Sequence, residues 1–302
     1  MTRDERAAPD SGRSGDTRVL ALEDGRELAY TAWGDPDGYP AFYFHGTPGS
    51  RLEGALAGQA AKKHGFRLIA LDRPGYGLST FQRNRSFRDW PDDVRALADS
   101  LGIHEFGVVG HSGAGPHLFA CGCFLPPERL KFIGALAPWG PVATPEIMAG
   151  LNPLDRFYAR LARRTPLIMR ASFAPLGWCA KHRPRLFLSL LRSAVSPPDR
   201  AALLDDRLRE RLSLSQREAF RQGGRGPAHE ALIAYRDWGF DIAAVNVPTH
   251  VRLGDRDVFV PRRMGSYLER VLPGVDFRWI EGEGHFALDR WDGILAACAA
   301  HT

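Results

Sequence analysis

The stretch Phe106-Gly-Val-Val-Gly-His-Ser112-Gly-Ala-Gly115 places a serine between a short apolar run and the start of a predicted helix. Val108 and Val109 are typical of a buried parallel strand, and the small residues around Ser112 let another chain segment approach closely. A serine on so sharp a turn is held in a strained backbone conformation, with its hydroxyl directed into a cleft. The N–H of Gly113 would stand at a helix N-terminus, where unpaired donors stabilise developing negative charge. The segment therefore predicts a nucleophilic serine.

Two later segments supply the groups that such a nucleophile needs. Asp257 follows one predicted strand, and His285 follows the next one. A serine hydroxyl needs a base to accept its proton, and an imidazole oriented by a carboxylate is suited to that role. We therefore predict that Ser112, Asp257 and His285 form a catalytic triad, with Asp255 as the alternative acid.

The pattern of apolar segments predicts an α/β fold with eight strands. The first two strands flank Glu23-Asp-Gly-Arg26, whose Asp-Gly pair is typical of a hairpin turn, and we expect both to be antiparallel edge strands. The other six alternate with helical stretches, which predicts a mostly parallel sheet with helices on both faces. The predicted strands are residues 18–22, 27–33, 41–44, 67–71, 106–109, 131–136, 249–253 and 277–280.

Between residues 141 and 241 the strand pattern gives way to helix starts. Asn152-Pro153 and Ser196-Pro197 are typical of an N-cap followed by proline in the first turn, and Ser215-Gln-Arg-Glu218 matches a capping box. An insertion at this point would overhang the carboxyl ends of the strands, where open α/β sheets bind ligands. The predicted organisation is a disordered tail of residues 1–17, a core of residues 18–140 and 242–302, and a helical cap of residues 141–241.

Composition excludes several classes of protein. No run approaches the roughly 18 apolar residues needed to span a bilayer, and four scattered cysteines are too few for a disulfide framework, which favours a reducing cytoplasm. The net charge is +5, and residues 141–241 hold seventeen Arg and Lys against ten Asp and Glu. We interpret these charges as a solvated helix face with i,i+4 pairs, and we expect no nucleic-acid partner.

Cofactor motifs are missing from the sequence. Gly110, Gly113 and Gly115 are spaced as G-x-x-G-x-G, so the dinucleotide pattern G-x-G-x-x-G is absent. Cys121 and Cys123 have no second pair to complete a zinc site. We therefore predict neither a nucleotide cofactor nor a metal.

Together, four blocks of the chain resemble the α/β-hydrolase superfamily. They are His45–Ser50, Asp72–Ser79, Gly110–Ala114, and the segments of Asp257 and His285, and the resemblance extends over roughly residues 18 to 300. The residues of these blocks are similar to those of the cap-bearing epoxide hydrolases, haloalkane dehalogenases and small-molecule esterases. The nucleophile in this chain is a serine. Ala114 stands where the family usually has glycine, and we expect a slightly tighter turn.

The resemblance also implies roles for further residues. It favours Asp257 over Asp255, because Asp257-Val-Phe-Val-Pro261 matches the acid followed by Val-Pro, and it implies that the backbone N–H groups of Thr47 and Gly113 form an oxyanion hole. His45 is expected to pin its own turn, the Asp72–Gly75 loop to form a polar network, and His111 to point away from the cleft.

These residues predict a cofactor-free serine hydrolase that cleaves an ester-like bond of a small, largely apolar carbonyl compound through an acyl-enzyme. The alternatives are a lyase or cofactor-free oxygenase with the same triad, and a catalytically silent ligand-binding protein. Ester, thioester, lactone and carbon–carbon bonds all remain open as the cleaved bond. The candidates for an apolar pocket lining are Trp139, Met148, Phe157, Phe173, Trp178 and Phe286.

Overall fold

The structure of the protein is a computed structural model that describes residues 15–302. Residues 1–14, most of the predicted tail, lie outside the described residues. The last residue of that predicted tail is already ordered in a strand, because Thr17 pairs with Thr31 of the neighbouring strand.

One eight-stranded sheet forms the centre of the protein, in the order β1-β2-β4-β3-β5-β6-β7-β8. The first hairpin is antiparallel, β2 is antiparallel to β4, and all remaining neighbours are parallel. The predicted fold class is confirmed. Of the two hairpin strands, however, only β1 is an edge strand, because β2 pairs with both β1 and β4. The strands are β1 (Thr17–Ala21), β2 (Glu27–Gly34), β3 (Tyr39–Phe44), β4 (Phe66–Leu71), β5 (Phe106–His111), β6 (Leu130–Leu136), β7 (Thr249–Gly254) and β8 (Asp276–Ile280).

Helices cover both faces of this sheet because alternate residues of each central strand point to opposite sides. On β3, Phe42 and Phe44 contact the apolar cluster of α2 and α3, whereas Ala41 and Tyr43 belong to the cluster of α1 and α12. The core helices are α1 (Gly58–Lys63), α2 (Trp90–Ser100), α3 (Gly115–Phe124), α11 (Arg262–Val271) and α12 (Trp291–Cys298).

Seven further helices lie between β6 and β7. Asn152 begins one of them as predicted, since its side chain accepts a hydrogen bond from the Asp155 N–H at 2.9 Å. They are α4 (Pro145–Gly150), α5 (Pro153–Arg164), α6 (Pro166–His182), α7 (Pro184–Ala194), α8 (Pro197–Ala202), α9 (Asp206–Ala219) and α10 (Arg225–Ala234).

The capping box predicted at Ser215 is wrong. Ser215 lies inside α9, whose N-cap is Asp205, ten residues before the N-cap that the capping-box pattern placed at Ser215. The Ser215 hydroxyl is buried and accepts a hydrogen bond from the Ser50 N–H at 2.9 Å, so it joins the inserted helices to the core. The serine of this Ser-x-x-Glu pattern therefore makes a tertiary contact and does not cap a helix.

Candidate active site

Ser112 occupies the sharp turn that its neighbours predict. Its φ of 54° lies in the left-handed region, which costs a non-glycine residue free energy and which the surrounding packing must enforce. A Cβ on Gly110 would come within 2.6 Å of the Ala114 Cβ, and Cβ atoms on Gly113 and Gly115 would collide with Thr47 and with the Trp139 backbone. The glycines around Ser112 are therefore required by close approach of neighbouring segments.

The three predicted triad residues meet in one hydrogen-bonded chain. Ser112 Oγ lies 2.8 Å from His285 Nε2, and His285 Nδ1 lies 2.7 Å from Asp257 Oδ2. The second carboxylate oxygen of Asp257 accepts from the N–H groups of Phe259 and Val260. Because an ionised carboxylate only accepts hydrogen bonds, Nδ1 of His285 carries the proton and Nε2 is free to accept the serine proton.

Electrostatics at His285 favour the transfer of that proton. Burial lowers the pKa of the imidazole, but the charge of Asp257 and its hydrogen bond outweigh burial and place the pKa of His285 above its ordinary value. An imidazolium formed next to Asp257 is therefore stabilised.

Asp255, the alternative acid, does not contact His285. Its Oδ1 accepts a hydrogen bond from the Gly282 N–H at 2.8 Å. Asp255 thus stabilises the turn after β8 that leads to His285. The sequence alone does not predict this role, because it shows only that Asp255 lies two residues before Asp257.

The two predicted oxyanion donors are neighbours. A Cβ built on Gly113 would lie 3.2 Å from the Thr47 backbone nitrogen, and both residues line the same cavity as Ser112 and His285. The Ser112 carbonyl accepts from the Trp139 N–H at 2.9 Å, which fixes the peptide that carries the Gly113 N–H.

A cavity of about 300 Å³ opens above Ser112, and its walls are mainly apolar. Of the predicted lining residues, Trp139, Phe173 and Phe286 do line it, whereas Met148 packs in a neighbouring apolar cluster. Phe157 and Trp178 are 52% and 58% exposed, so their prediction as lining residues is wrong. Other residues of the same helices point into the cavity. The lining residues that we did not predict from the sequence include Tyr158, Leu176, Phe187, Leu191, Tyr235 and Phe259.

His111 also differs from expectation, because it lies beside the triad. Its ring centroid is 4.8 Å from that of His285, and its Nε2 lies 3.2 Å from the His285 carbonyl oxygen. On its other side Nδ1 lies 3.5 Å from Glu53, whose carboxylate also accepts from the Gly46 N–H. Burial raises the pKa of Glu53, but the contacts with His111 outweigh it and hold that pKa below the ordinary value.

Asp72 and Arg73 both take part in polar networks, as predicted. Asp72 pairs with Arg51, whereas Arg73 pairs with Glu230, a residue that the sequence did not indicate. Glu230, from α10, is buried and accepts hydrogen bonds from Arg73 at 2.7 and 2.8 Å and from Arg85 at 2.9 Å. Burial raises the pKa of Glu230, but Arg73 and the other nearby positive charges hold it well below the usual range. Thr47 Oγ donates to Glu230 at 2.8 Å, so this network reaches the loop of the predicted oxyanion hole.

His45 belongs to the same network, because the Arg73 side chain contacts it. Its Nδ1 lies 2.7 Å from the Gly46 carbonyl, and the Arg73 guanidinium donates to the His45 carbonyl. Burial and the nearby Arg73 lower the pKa of His45 to about 3, so the ring is neutral. This agrees with the predicted structural role.

Besides Glu230, a second buried carboxylate of the inserted helices contacts the core, at the residue next to His285. Asp199 of α8 accepts a hydrogen bond from the Phe286 N–H at 2.8 Å, directly after His285. A Cβ on Gly284 would collide with the Asp199 carboxylate, so the loop on both sides of His285 is fitted to this contact.

Residues 15–302 contain no group of three or more His, Cys, Asp or Glu side chains arranged to hold a metal ion. None of the helices in the same part of the chain is long and apolar enough to cross a membrane.

Comparison with known proteins identifies the family of the chain. The family model for the alpha/beta hydrolase fold matches residues 40–290. The chain therefore belongs to the alpha/beta hydrolase fold family, as the sequence predicted.

Among curated relatives, the bifunctional esterase/perhydrolase of Acinetobacter calcoaceticus is 31% identical over 136 residues, 45% of each chain. A non-heme chloroperoxidase of Streptomyces lividans is 34% identical over 32% of this chain and 36% of its own. The matched region thus spans less than half the length of these two relatives. A further relative, the non-heme chloroperoxidase CPO-A1 of Kitasatospora aureofaciens, is 25% identical over 88% of this chain and 91% of its own.

Solved structures share the fold over nearly the whole length. An esterase from Exiguobacterium antarcticum has a TM-score of 0.70 at 16% identity and covers 93% of this chain and 97% of its own. The epoxide hydrolase VrEH1 from Vigna radiata has a TM-score of 0.66 at 21% identity and covers 95% of both chains.

Proposed function

We propose that the protein is a cofactor-free serine hydrolase that cleaves an ester-like bond of a small, largely apolar carbonyl compound. The observation that carries this proposal is the chain of contacts from Ser112 through His285 to Asp257, at 2.8 and 2.7 Å, on the floor of an apolar cavity. Esterase is also part of the name of the Acinetobacter relative.

The reaction begins when Ser112 Oγ attacks the substrate carbonyl and its proton passes to His285 Nε2. Asp257 stabilises the imidazolium, and the N–H groups of Thr47 and Gly113 bind the oxygen that becomes negative. His285 then returns the proton to the leaving alcohol, which leaves an acyl-enzyme. Water, deprotonated by His285, attacks the acyl carbon and releases the acid and Ser112.

A carboxylate nucleophile would be needed for epoxide hydrolysis through an alkyl-enzyme ester, and residue 112 is serine. The lyase, oxygenase and silent-receptor alternatives lack an observation that favours them over the hydrolase. The cavity volume of about 300 Å³ and its apolar walls support a small substrate with an aliphatic or aromatic acyl group.

Residues 141–241 are proposed to act as the cap of a core formed by residues 18–140 and 242–302. Support comes from the cavity walls, because Phe173, Leu176 and Glu230 of this segment line the cavity of Ser112. Within residues 15–302 all four cysteines are free thiols, which supports a reducing compartment such as the cytoplasm.

The proposal is tested with p-nitrophenyl esters of increasing acyl length and a fluorophosphonate probe. The wild-type protein should hydrolyse one or more of the esters, and the probe should label Ser112. Ser112→Ala should abolish both hydrolysis and labelling. As a control, Ser100→Ala changes an exposed serine at the end of α2 and should leave both intact. Hydrolysis that survives Ser112→Ala would contradict the proposal.

A further inference from the structure

Helices α5 to α7 carry an unusual concentration of positive charge. Residues 153–194 contain nine Arg and Lys against one Asp, a net charge of +8 within a chain whose total is +5. The single acid, Asp155, is turned inward and accepts a hydrogen bond from Tyr235 at 2.6 Å. The basic residues are Arg156, Arg160, Arg163, Arg164, Arg170, Lys181, Arg183, Arg185 and Arg192, and all nine are exposed.

Within the described residues, ion pairs do not neutralise these charges, although Arg185 and Arg192 line a surface pocket together with Asp206 and Glu210. Within residues 15–302 none of the nine forms an ion pair. Two other arginines of the inserted segment do form local ion pairs, Arg209 with Asp206 and Arg221 with Glu218. The exposed basic side chains fit the predicted solvated face, but the predicted i,i+4 pairing does not hold: the two pairs near α9 are both i,i+3, and none of the nine residues on α5 to α7 is paired within residues 15–302. Nine unpaired cations on three consecutive helices form a surface suited to an anionic partner.

An apolar stripe runs through the same surface. On α6, Leu167, Ala171, Ala174 and Trp178 recur at i, i+4, i+7 and i+11, which places them on one side of the helix. All four are exposed, Leu167 by 75% and Trp178 by 58%. The neighbouring helices α5 and α7 add exposed large apolar side chains, namely Leu154, Phe157, Leu186 and Leu190.

The opposite side of α6 faces the proposed substrate. Phe173 and Leu176 line the cavity above Ser112, as do Phe187 and Leu191 of α7. Leu154 is both 58% exposed and part of the cavity wall. A single helix layer, roughly 10 Å thick, therefore separates the cavity from the outer stripe.

We propose that the outer surface of α5 to α7 binds anionic lipid surfaces, with α6 lying in the interfacial plane. Arginine and lysine would contact the anionic headgroups, while Leu167 and Trp178 enter the acyl boundary. This inference rests on the exposed side chains and is independent of the proposed hydrolase activity.

The other possible occupants fit this surface less well. A second copy docked through the same surface would bring two regions of net charge +8 together. A nucleic acid would neutralise the arginines but leave the aliphatic side chains of Leu167, Leu186 and Leu190 in contact with water or phosphate. An anionic bilayer accommodates both the charge and the apolar stripe.

The test is co-sedimentation of the full-length protein with vesicles of phosphatidylcholine alone or with about 30% phosphatidylglycerol. The protein should sediment with the anionic vesicles and not with the neutral ones. Because the attraction of headgroups is screened by salt, sedimentation should fall sharply in about 0.5 M NaCl.

Two variants separate the charged and the apolar contributions. In Arg160→Gln/Arg164→Gln, each lost charge should weaken binding about fivefold. Leu167→Ser/Trp178→Ser should weaken binding at every salt concentration, because it removes the apolar contact. The matched controls are Leu204→Ser, at an apolar site that is also 58% exposed, and Lys62→Gln on α1; both should bind as the wild type does.

Several outcomes would overturn the proposal. They are equal sedimentation with neutral and anionic vesicles, no sedimentation with either, or the same loss in the controls as in the variants. Tight binding of a labelled oligonucleotide that persists in Leu167→Ser/Trp178→Ser would assign the surface to a nucleic acid. A wild-type dimer that this same variant makes monomeric would assign it to a second copy. The thermal unfolding midpoint of every variant should match that of the wild type, which shows that each is folded.

Discussion

The carboxylate of Asp199 accepts a hydrogen bond at 2.8 Å from the backbone N–H of Phe286, the residue that follows His285. Asp199 belongs to the inserted helices, whereas His285 lies in the core after β8. The position of the candidate base therefore depends on both parts of the chain. A second such contact is the hydrogen bond that the Thr47 hydroxyl donates to Glu230 at 2.8 Å. The inserted segment therefore contacts the loop of the candidate base and the loop of a proposed oxyanion donor.

Asp199→Ala should lower kcat for ester hydrolysis by about ten- to hundredfold, because a small displacement of a catalytic group has a large effect on rate. KM for a short ester should change little, since Asp199 does not line the cavity. Asp199→Asn retains an oxygen that accepts from the Phe286 N–H and should recover most of the activity. Equal losses in both variants would show that the contact does not position His285.

Asp257→Asn should reduce kcat/KM by orders of magnitude, about 10⁴-fold in comparable triads, because an amide favours the wrong imidazole tautomer. Asp255→Asn should cost far less, since its carboxylate contacts Gly282 and not His285. Steady-state kinetics on one ester for both variants checks the ranking. The reverse ranking would assign the orienting role to Asp255.

Glu230→Gln should destabilise the fold by about 3–5 kcal/mol, because Arg73 and Arg85 would be left buried without their counter-charge. The pKa of Glu230 is lowered in the folded state, so its stabilising effect is fully present above the unfolded pKa of 4.5, begins to fall below that pH, and is lost as the pH falls through the lower folded pKa. Urea unfolding between neutral pH and about pH 4 should thus show a smaller loss of stability in the variant than in the wild type.

The matched control is Glu146→Gln, which alters a surface pair with Arg270. That change should leave the unfolding midpoint nearly unchanged, because exposed pairs contribute little. A difference between wild type and Glu230→Gln that does not vary with pH would contradict the assigned ionisation of Glu230.

Phe173→Ala should change the preference between short and long acyl chains, because Phe173 lines the cavity and each methylene in an apolar pocket contributes roughly 1–3 kcal/mol to discrimination. Phe157→Ala, on the exposed side of α5, should leave that preference unchanged. Comparison of kcat/KM across an ester series for the two variants provides the measurement. A flat profile for Phe173→Ala would place the acyl pocket elsewhere.

Much of the fold follows from local patterns in the sequence. Each predicted strand lies within one or two residues of an observed one, because runs of apolar and β-branched residues between turn residues are a local property. The turn at Ser112 is equally local, since glycine and alanine on either side leave few other conformations. Strands of a parallel sheet end at the same edge, so Asp257 and His285 were expected to lie near Ser112.

The rotation of the inserted helices and the partners of their buried charges were decided only by the tertiary structure. Phe173 and Trp178 lie five residues apart on α6, yet one lines the cavity and the other faces solvent. Glu230 is 157 positions from Arg73, and Asp199 is 87 positions from Phe286. The sequence determined the strands, the turn at Ser112 and the chain order of the three candidate catalytic residues. Packing decided which residues of the inserted helices face the cavity and which contact the loops of His285 and Thr47, because those contacts join segments that no local pattern connects.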